Sequence, residues 1–118
     1  MYSAVVREHA TNPKNRHSLP SPSGEGLSFF PSCGDEFKLF LHVEDDRIEK
    51  ATFEAKACGP VIAMGSLGTE LLVGKAVGEA RKLSAFSLDE QLGGLPPAKR
   101  HAILLFLDAL HQALPSEP

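Results

Sequence analysis

The chain has 118 residues, 42% of them apolar and 23% charged, with a formal net charge of −3. That is chain for a single domain, predicted over residues 1–118, large enough to bury about two-thirds of the surface it exposes when unfolded. The slightly acidic balance excludes a nucleic-acid footprint, no apolar run approaches the roughly 20 residues that cross a bilayer, and two cysteines are too few for a disulfide scaffold, although the count leaves one Cys33–Cys58 bridge open.

Met1 to Ala10 carries Arg7, Glu8 and His9 where a secretory signal needs an apolar core, so the expected compartment is the cytoplasm. Tyr2 to about Ala10 reads as a short helix that stops at Thr11-Asn12-Pro13, because the residue before a proline is pushed out of the helical region. Asn12 to Gly26 holds three of the nine prolines and reads as an extended loop. Three strand candidates follow. Leu27 to Ser32 is short and contains Phe29 and Phe30. Glu36 to Glu44 alternates, with Phe37, Leu39, Leu41 and Val43 facing one way and only Phe40 out of step. After a turn at Asp45-Asp46, Ile48 to Lys56 resumes with Ala51, Phe53 and Ala55 on its apolar face. Glu44, Asp45 and Asp46 read as a solvated acidic turn.

From Pro60 the period becomes helical: Val61, Met64, Leu67, Leu71 and Leu72 recur every three or four residues, with Gly74 as a stop. Lys75 to Leu83 and Ser87 to Leu92 read as short helices, and a final helix runs from about Ala98 to Ala113 after Pro96-Pro97. Strands first and helices after them predict an α+β fold, a three-stranded antiparallel sheet covered on one face by helices.

Chemistry concentrates at four residues. Cys33 and Asp35 are two apart, which in a straight strand sends them to opposite faces, but Gly34 between them permits a turn with positive φ that brings them to one side. Cys58 precedes Gly59-Pro60 and a helix N-terminus, where the helix dipole favours a thiolate. His101 follows Leu95-Pro96-Pro97-Ala98-Lys99-Arg100 near the start of the last helix, while His42 lies on a polar strand face and His111 near the tail. Two cysteines, an aspartate and a histidine make a four-ligand set that suits Zn²⁺, and iron–sulfur centres also tolerate replacement of some of their cysteines. Read singly, each residue has a plain structural role open to it: a core thiol, a turn carboxylate, a surface imidazole. No spacing for serine-type catalysis, phosphate cradling or paired-carboxylate chemistry is present, so no independent catalysis is expected.

In order and spacing these motifs resemble the iron–sulfur cluster scaffold family of the IscU and NifU N-terminal domain type. The likeness runs through Tyr2, His9, Asn12-Pro13-Lys14-Asn15, Cys33-Gly34-Asp35, Cys58-Gly59, Ile62-Ala63, Ser66-Leu67, Thr69-Glu70, Gly74-Lys75 and Leu95-Pro96-Pro97-Ala98-Lys99 followed by His101. The resemblance implies that Cys33, Asp35, Cys58 and His101 converge as ligands of iron or a 2Fe–2S cluster. It implies sulfur delivered by a cysteine desulfurase, apo iron–sulfur proteins as recipients, and an aspartate that keeps the cluster labile, a carboxylate being a weaker partner for it than a thiolate. The family's third cysteine follows the histidine; here that residue is Ala102, so two thiolates remain and any persulfide forms on Cys33 or Cys58. Leu95 to Lys99 resembles the family's segment for a DnaK-type chaperone, with Ala98 in place of valine; the same two prolines also suit a plain helix start. Two alternatives use the same residues: a zinc-bound persulfide acceptor that activates a desulfurase, and a metal-free interaction module of the same fold.

Overall fold

The computed structural model describes residues 2–116; Met1, Glu117 and Pro118 of the predicted span 1–118 lie outside the described residues. Helix α1 (Ala4–Thr11) leads into strands β1 (Gly24–Phe30), β2 (Asp35–Glu44) and β3 (Arg47–Lys56). Helices α2 (Gly59–Leu72), α3 (Val77–Arg81) and α4 (Ala85–Gln91), a 3₁₀ turn at Pro97–Lys99 and helix α5 (His101–Ala113) follow. The strands form one antiparallel sheet in the order β1-β2-β3, with α5 packed on β1 and β2 and α2 on β3, so the α+β expectation holds.

The alternation in β2 and β3 sets the core. Phe37, Leu39, Leu41, Ala51 and Phe53 are buried under α2 and α5, where Met64 and Phe106 meet them. Phe40, the residue out of step, and its cross-strand partner Thr52 are buried as well, with the Lys38 Nζ over the Phe40 ring at 5.2 Å. At the hairpin tip Asp45 and Asp46 adopt φ of 51° and 64°, the pair of left-handed residues that a tight two-residue turn needs.

β1 begins three residues earlier than its apolar pattern suggests, and the glycines are the reason. A Cβ on Gly24 would lie 1.9 Å from the Ala113 carbonyl oxygen, and one on Gly26 1.8 Å from that of Ala109. At the next inward position the Ser28 hydroxyl donates to the Leu105 carbonyl at 2.7 Å. Every second residue of β1 thus meets one turn of α5, and the repeats match: about 6 Å for four helical residues against about 6.6 Å for two in a strand. The expected strand Leu27 to Ser32 is therefore corrected to Gly24–Phe30. At the free edge of β1 the Gln112 side chain donates to the Leu27 carbonyl (2.8 Å) and accepts from its N–H (3.0 Å), occupying groups that would otherwise invite another strand.

The glycines of α2 serve the same end, with Gly65 against Phe37 and Phe53 and Gly68 against Phe106. On its polar stripe, Ser66 Oγ accepts the Lys14 N–H at 2.8 Å and shares a 2.6 Å hydrogen bond with His9 Nδ1. Thr69 Oγ1 accepts from Asn15 Nδ2 at 3.1 Å. The Asn12–Asn15 segment is thereby tied to α2, and the Asn15 carbonyl accepts the Phe53 N–H at 2.9 Å on the outer edge of β3. No helix among the described residues is long and apolar enough to cross a membrane.

Candidate metal centre

Three junctions meet at one end of the sheet. Asp35 opens β2, Cys58 is the residue before α2, and His101 opens α5. Cys33 sits on the β1–β2 turn, where its N–H donates to the Phe30 carbonyl at 3.2 Å and that of Gly34 to the Pro31 carbonyl at 3.3 Å. Gly34 has φ of 69°, the positive value the Cys-Gly-Asp spacing called for.

Asp35 ties the group together. His101 Nε2–H donates to its Oδ2 at 2.8 Å, the Cys58 N–H to its Oδ1 at 3.2 Å and the Cys58 thiol to Oδ2 at 3.5 Å. Ligand atoms of Cys33, Asp35 and His101 all lie within 4.8 Å of one another; Cys58 stands outside that triad and joins it through Asp35. Both cysteines are free, so the bridge left open by counting is not formed. Exposure is graded: Asp35 is 4% and His101 9% exposed, Cys58 is half-buried, and Cys33 lies open on the rim.

The thiolate expected at Cys58 from its helix position is corrected. The Val61 N–H does favour the charged form, but burial pushes the thiol pKa up from its ordinary 9.0, and the Asp35 carboxylate adds to this by its charge and its hydrogen bond. Cys58 is therefore a thiol and not a thiolate at neutral pH. The donor set of two sulfurs, an imidazole nitrogen and a carboxylate oxygen suits iron or zinc. An ion held by all four would have to displace the Cys58 proton and the Asp35–His101 hydrogen bond. Ala102, next to His101, is fully buried in the core and adds no donor.

Leu95 to Lys99 shapes the approach to His101. Leu95 is buried and its N–H donates to Asp89 Oδ1 at 2.9 Å, while Pro97–Lys99 makes the 3₁₀ turn that delivers His101 to the first position of α5. Pro97 and Ala98 are exposed. Phe30, placed by the sequence only in a strand, lays its ring against His101; a phenylalanine at a strand end carries no pattern that separates it from a core residue.

A second cluster lies at the hairpin end, about 23 Å away along β2 at the usual strand rise. His42 Nε2 is 3.9 Å from Glu44 Oε2 and 3.7 Å from Glu49 Oε1, and all three are partly exposed. Pairing steps from His42↔Lys50 to Val43↔Ile48, so Glu49 is the extra residue of a β-bulge.

Comparison with known proteins finds the family described as "NifU-like N terminal domain" matching residues 1–116. The "Iron-sulfur cluster assembly scaffold protein IscU 1" of Archaeoglobus fulgidus is 39% identical over 114 residues, 97% of this chain and 74% of its own. The "Iron-sulfur cluster assembly enzyme IscU" of Drosophila melanogaster is 40% identical over 118 residues, 97% of this chain and 76% of its own. Among solved structures, a protein described as an iron–sulfur cluster assembly scaffold for the SUF system of Fervidobacterium islandicum superposes with a TM-score of 0.79 at 21% identity. It covers 97% of this chain and 96% of its own, a likeness of fold.

Proposed function

The chain belongs to the NifU-like N-terminal domain family, and on that premise we propose that it is a scaffold on which an iron–sulfur cluster is assembled and from which it is passed on. Relatives about 40% identical over nearly the whole chain carry the name of that activity. The observation that carries the reading to particular residues is the Asp35 carboxylate, which holds both His101 and Cys58 while Cys33 stands within reach on the rim.

In this reading the cluster, in 2Fe–2S form, is cargo held by Cys33, Asp35, Cys58 and His101. Cys33 is the sulfur acceptor that a cysteine desulfurase reaches, because it is the exposed thiol. Asp35 works in both directions: it ligates the cargo, and in its absence it re-forms its bonds to His101 and Cys58. The site therefore competes with its own cargo, which is how a scaffold releases what it builds. Apo iron–sulfur proteins receive the cluster, and the exposed Pro97-Ala98 turn is where a DnaK-type chaperone would reach the element that carries His101. The chain acts as a carrier, without turnover chemistry of its own, in the cytoplasm.

The test is anaerobic reconstitution of the purified full chain with iron, sulfide and reductant, followed by visible and Mössbauer spectra. A cluster signal abolished by Cys33→Ala, Cys58→Ala and His101→Ala, and persisting longer against chelator in Asp35→Ala, is the expected result. A protein that forms no cluster, or forms one indifferent to these residues, sinks the reading.

A further inference from the structure

Phe30 touches three of the four ligand residues, each in a different way. Its carbonyl accepts the Cys33 N–H at 3.2 Å. It is the direct cross-strand partner of Asp35. Its ring stacks on the His101 imidazole, with centroids 4.5 Å apart and planes 16° from parallel. Residues 30, 33 and 35 thus hold one another through the ends of two strands and their turn, and the Phe30 ring extends that frame to α5.

A hydrogen bond from one ring nitrogen does not fix an imidazole. The torsion about its Cβ–Cγ bond is broad and two-fold, so the ring can rock about the Nε2···Oδ2 line or flip. A second surface is needed to hold the plane, and the Phe30 ring supplies it. Strand pairing and the turn fix the Phe30 backbone, and an offset, near-parallel stack has a preferred geometry that an aliphatic side chain lacks. The Asp35–His101 bond it flanks lies largely out of water, the two residues being 4% and 9% exposed.

We propose that Phe30 is a positioning residue for His101, stacking on the imidazole so that Nε2 stays aimed at the Asp35 carboxylate and the Cys33–Asp35–His101 cluster is ready-made for a metal. This rests on the ligand set proposed above, and its test separates the two. A leucine at position 30 keeps most of the apolar contact but removes the flat face; a tyrosine keeps the face.

The probe is Co²⁺ alone, added to the metal-free full chain and read by its visible bands and its thiolate charge-transfer absorption. The second readout, on metal-free protein, is the ¹⁵N pattern of the His101 ring, which reports whether one tautomer is held or two are averaged. Phe30→Leu is expected to bind Co²⁺ about three- to tenfold more weakly, the range an aromatic pair contributes beyond its burial, with averaged ring nitrogens and a melting temperature near the parent's. Phe30→Tyr is expected to restore both. Should the leucine variant fold poorly, Phe30→Met is the substitute, since its flexible side chain refills the space without a ring face. Parent-like Co²⁺ binding and an unaveraged tautomer in Phe30→Leu, or a loss in Phe30→Tyr equal to that in Phe30→Leu, overturns the proposal. A parent protein that shows no thiolate–Co²⁺ absorption, or shows it unchanged in Cys33→Ser, fails the ligand set instead. The tautomer readout then still decides the role of Phe30: averaging in Phe30→Leu supports it, and a fixed tautomer overturns it.

Discussion

The two ends of β2 carry side chains of the same kinds in opposite surroundings. At the start of the strand, Asp35 and His101 meet at 2.8 Å with 6% and 8% of their side chains exposed. At its far end, His42 stands 3.7–3.9 Å from Glu44 and Glu49, with 40–59% of the side chains exposed. The first group is assembled from three separate junctions of the fold, and its Asp35–His101 pair is buried. The second is local to one hairpin and faces water. Proximity of imidazole and carboxylate is therefore not what makes a site. Long-range packing that removes water and fixes geometry does, because an exposed ion pair is screened and contributes little.

The strongest way to break this contrast is to lift α5 from the sheet. Gly26→Ala places a Cβ 1.8 Å from a backbone oxygen of α5, an atom that no rotamer change can move. The expected outcome is a loss of about 3 kcal/mol in urea unfolding, the upper range for overpacking, together with loss of Co²⁺ binding at the Cys33 end. The His42 resonances should stay as they are, since the three members of that cluster lie on β2 and β3 and none on α5. A variant within 1 kcal/mol of the parent, by the same scale, would show that the close helix–strand approach is not what holds the site.

A smaller effect comes from removing the acceptor at each end. Asp35→Ala leaves His101 Nε2–H and the Cys58 N–H without their partner, at a cost of about 1–3 kcal/mol for buried donors. Glu44→Ala removes the corresponding carboxylate from the exposed cluster, and its unfolding curve is expected to overlay the parent's. Equal losses in the two variants would erase the distinction between the ends.

The hairpin end was largely legible in the sequence, and the site only in part. Alternation through Phe37, Leu39 and Leu41, the Asp45-Asp46 turn and the three- to four-residue period from Val61 are local patterns, and local patterns survive in a linear reading. The positive φ at Gly34 was legible for the same reason, as was the place of Cys58 before a helix. The start of β1 was not, because Gly24 and Gly26 look like loop residues until the α5 carbonyls they admit are brought against them from far along the chain. The protonation of Cys58 was misread for a related reason. The helix N-terminus is visible in the sequence, whereas the burial and the Asp35 carboxylate that outweigh it belong to the folded molecule. Phe30 was invisible as a partner of His101 because a stack leaves no trace in either segment alone.

The thiol of Cys58 sharpens the contrast by titration. Its pKa is raised in the folded chain, so the stability linked to its proton is fully present below the ordinary thiol value of 9.0 and is lost as pH rises through the raised value. Asp35→Asn takes away a negative charge that opposes ionisation, and the Cys58 titration followed by thiolate absorbance is expected to move to lower pH. Iodoacetamide at neutral pH should label the exposed Cys33 first. An unmoved titration in Asp35→Asn would mean that burial alone protects the Cys58 proton.

The smallest effect is expected where the carboxylates are bare. Glu49 has its pKa raised from 4.5, first by a hydrogen bond with Glu44 and then by that residue's negative charge, with His42 and Lys50 pulling the other way. The sign is the same as for Cys58, so the linked stability is present below the ordinary value and lost as pH rises through the raised one. Both carboxylates stand about half in water, where solvent and salt screen them. Glu44→Gln should therefore lower the Glu49 midpoint in a carboxyl-carbon NMR titration while leaving the melting temperature indistinguishable from the parent's. In 0.5 M salt, where the Debye length is only about 4 Å, the midpoints of parent and variant should draw together. A gap that resisted salt would mean that the two glutamates are held in a drier, more rigid setting, which would bring the hairpin end closer in kind to the Cys33 end.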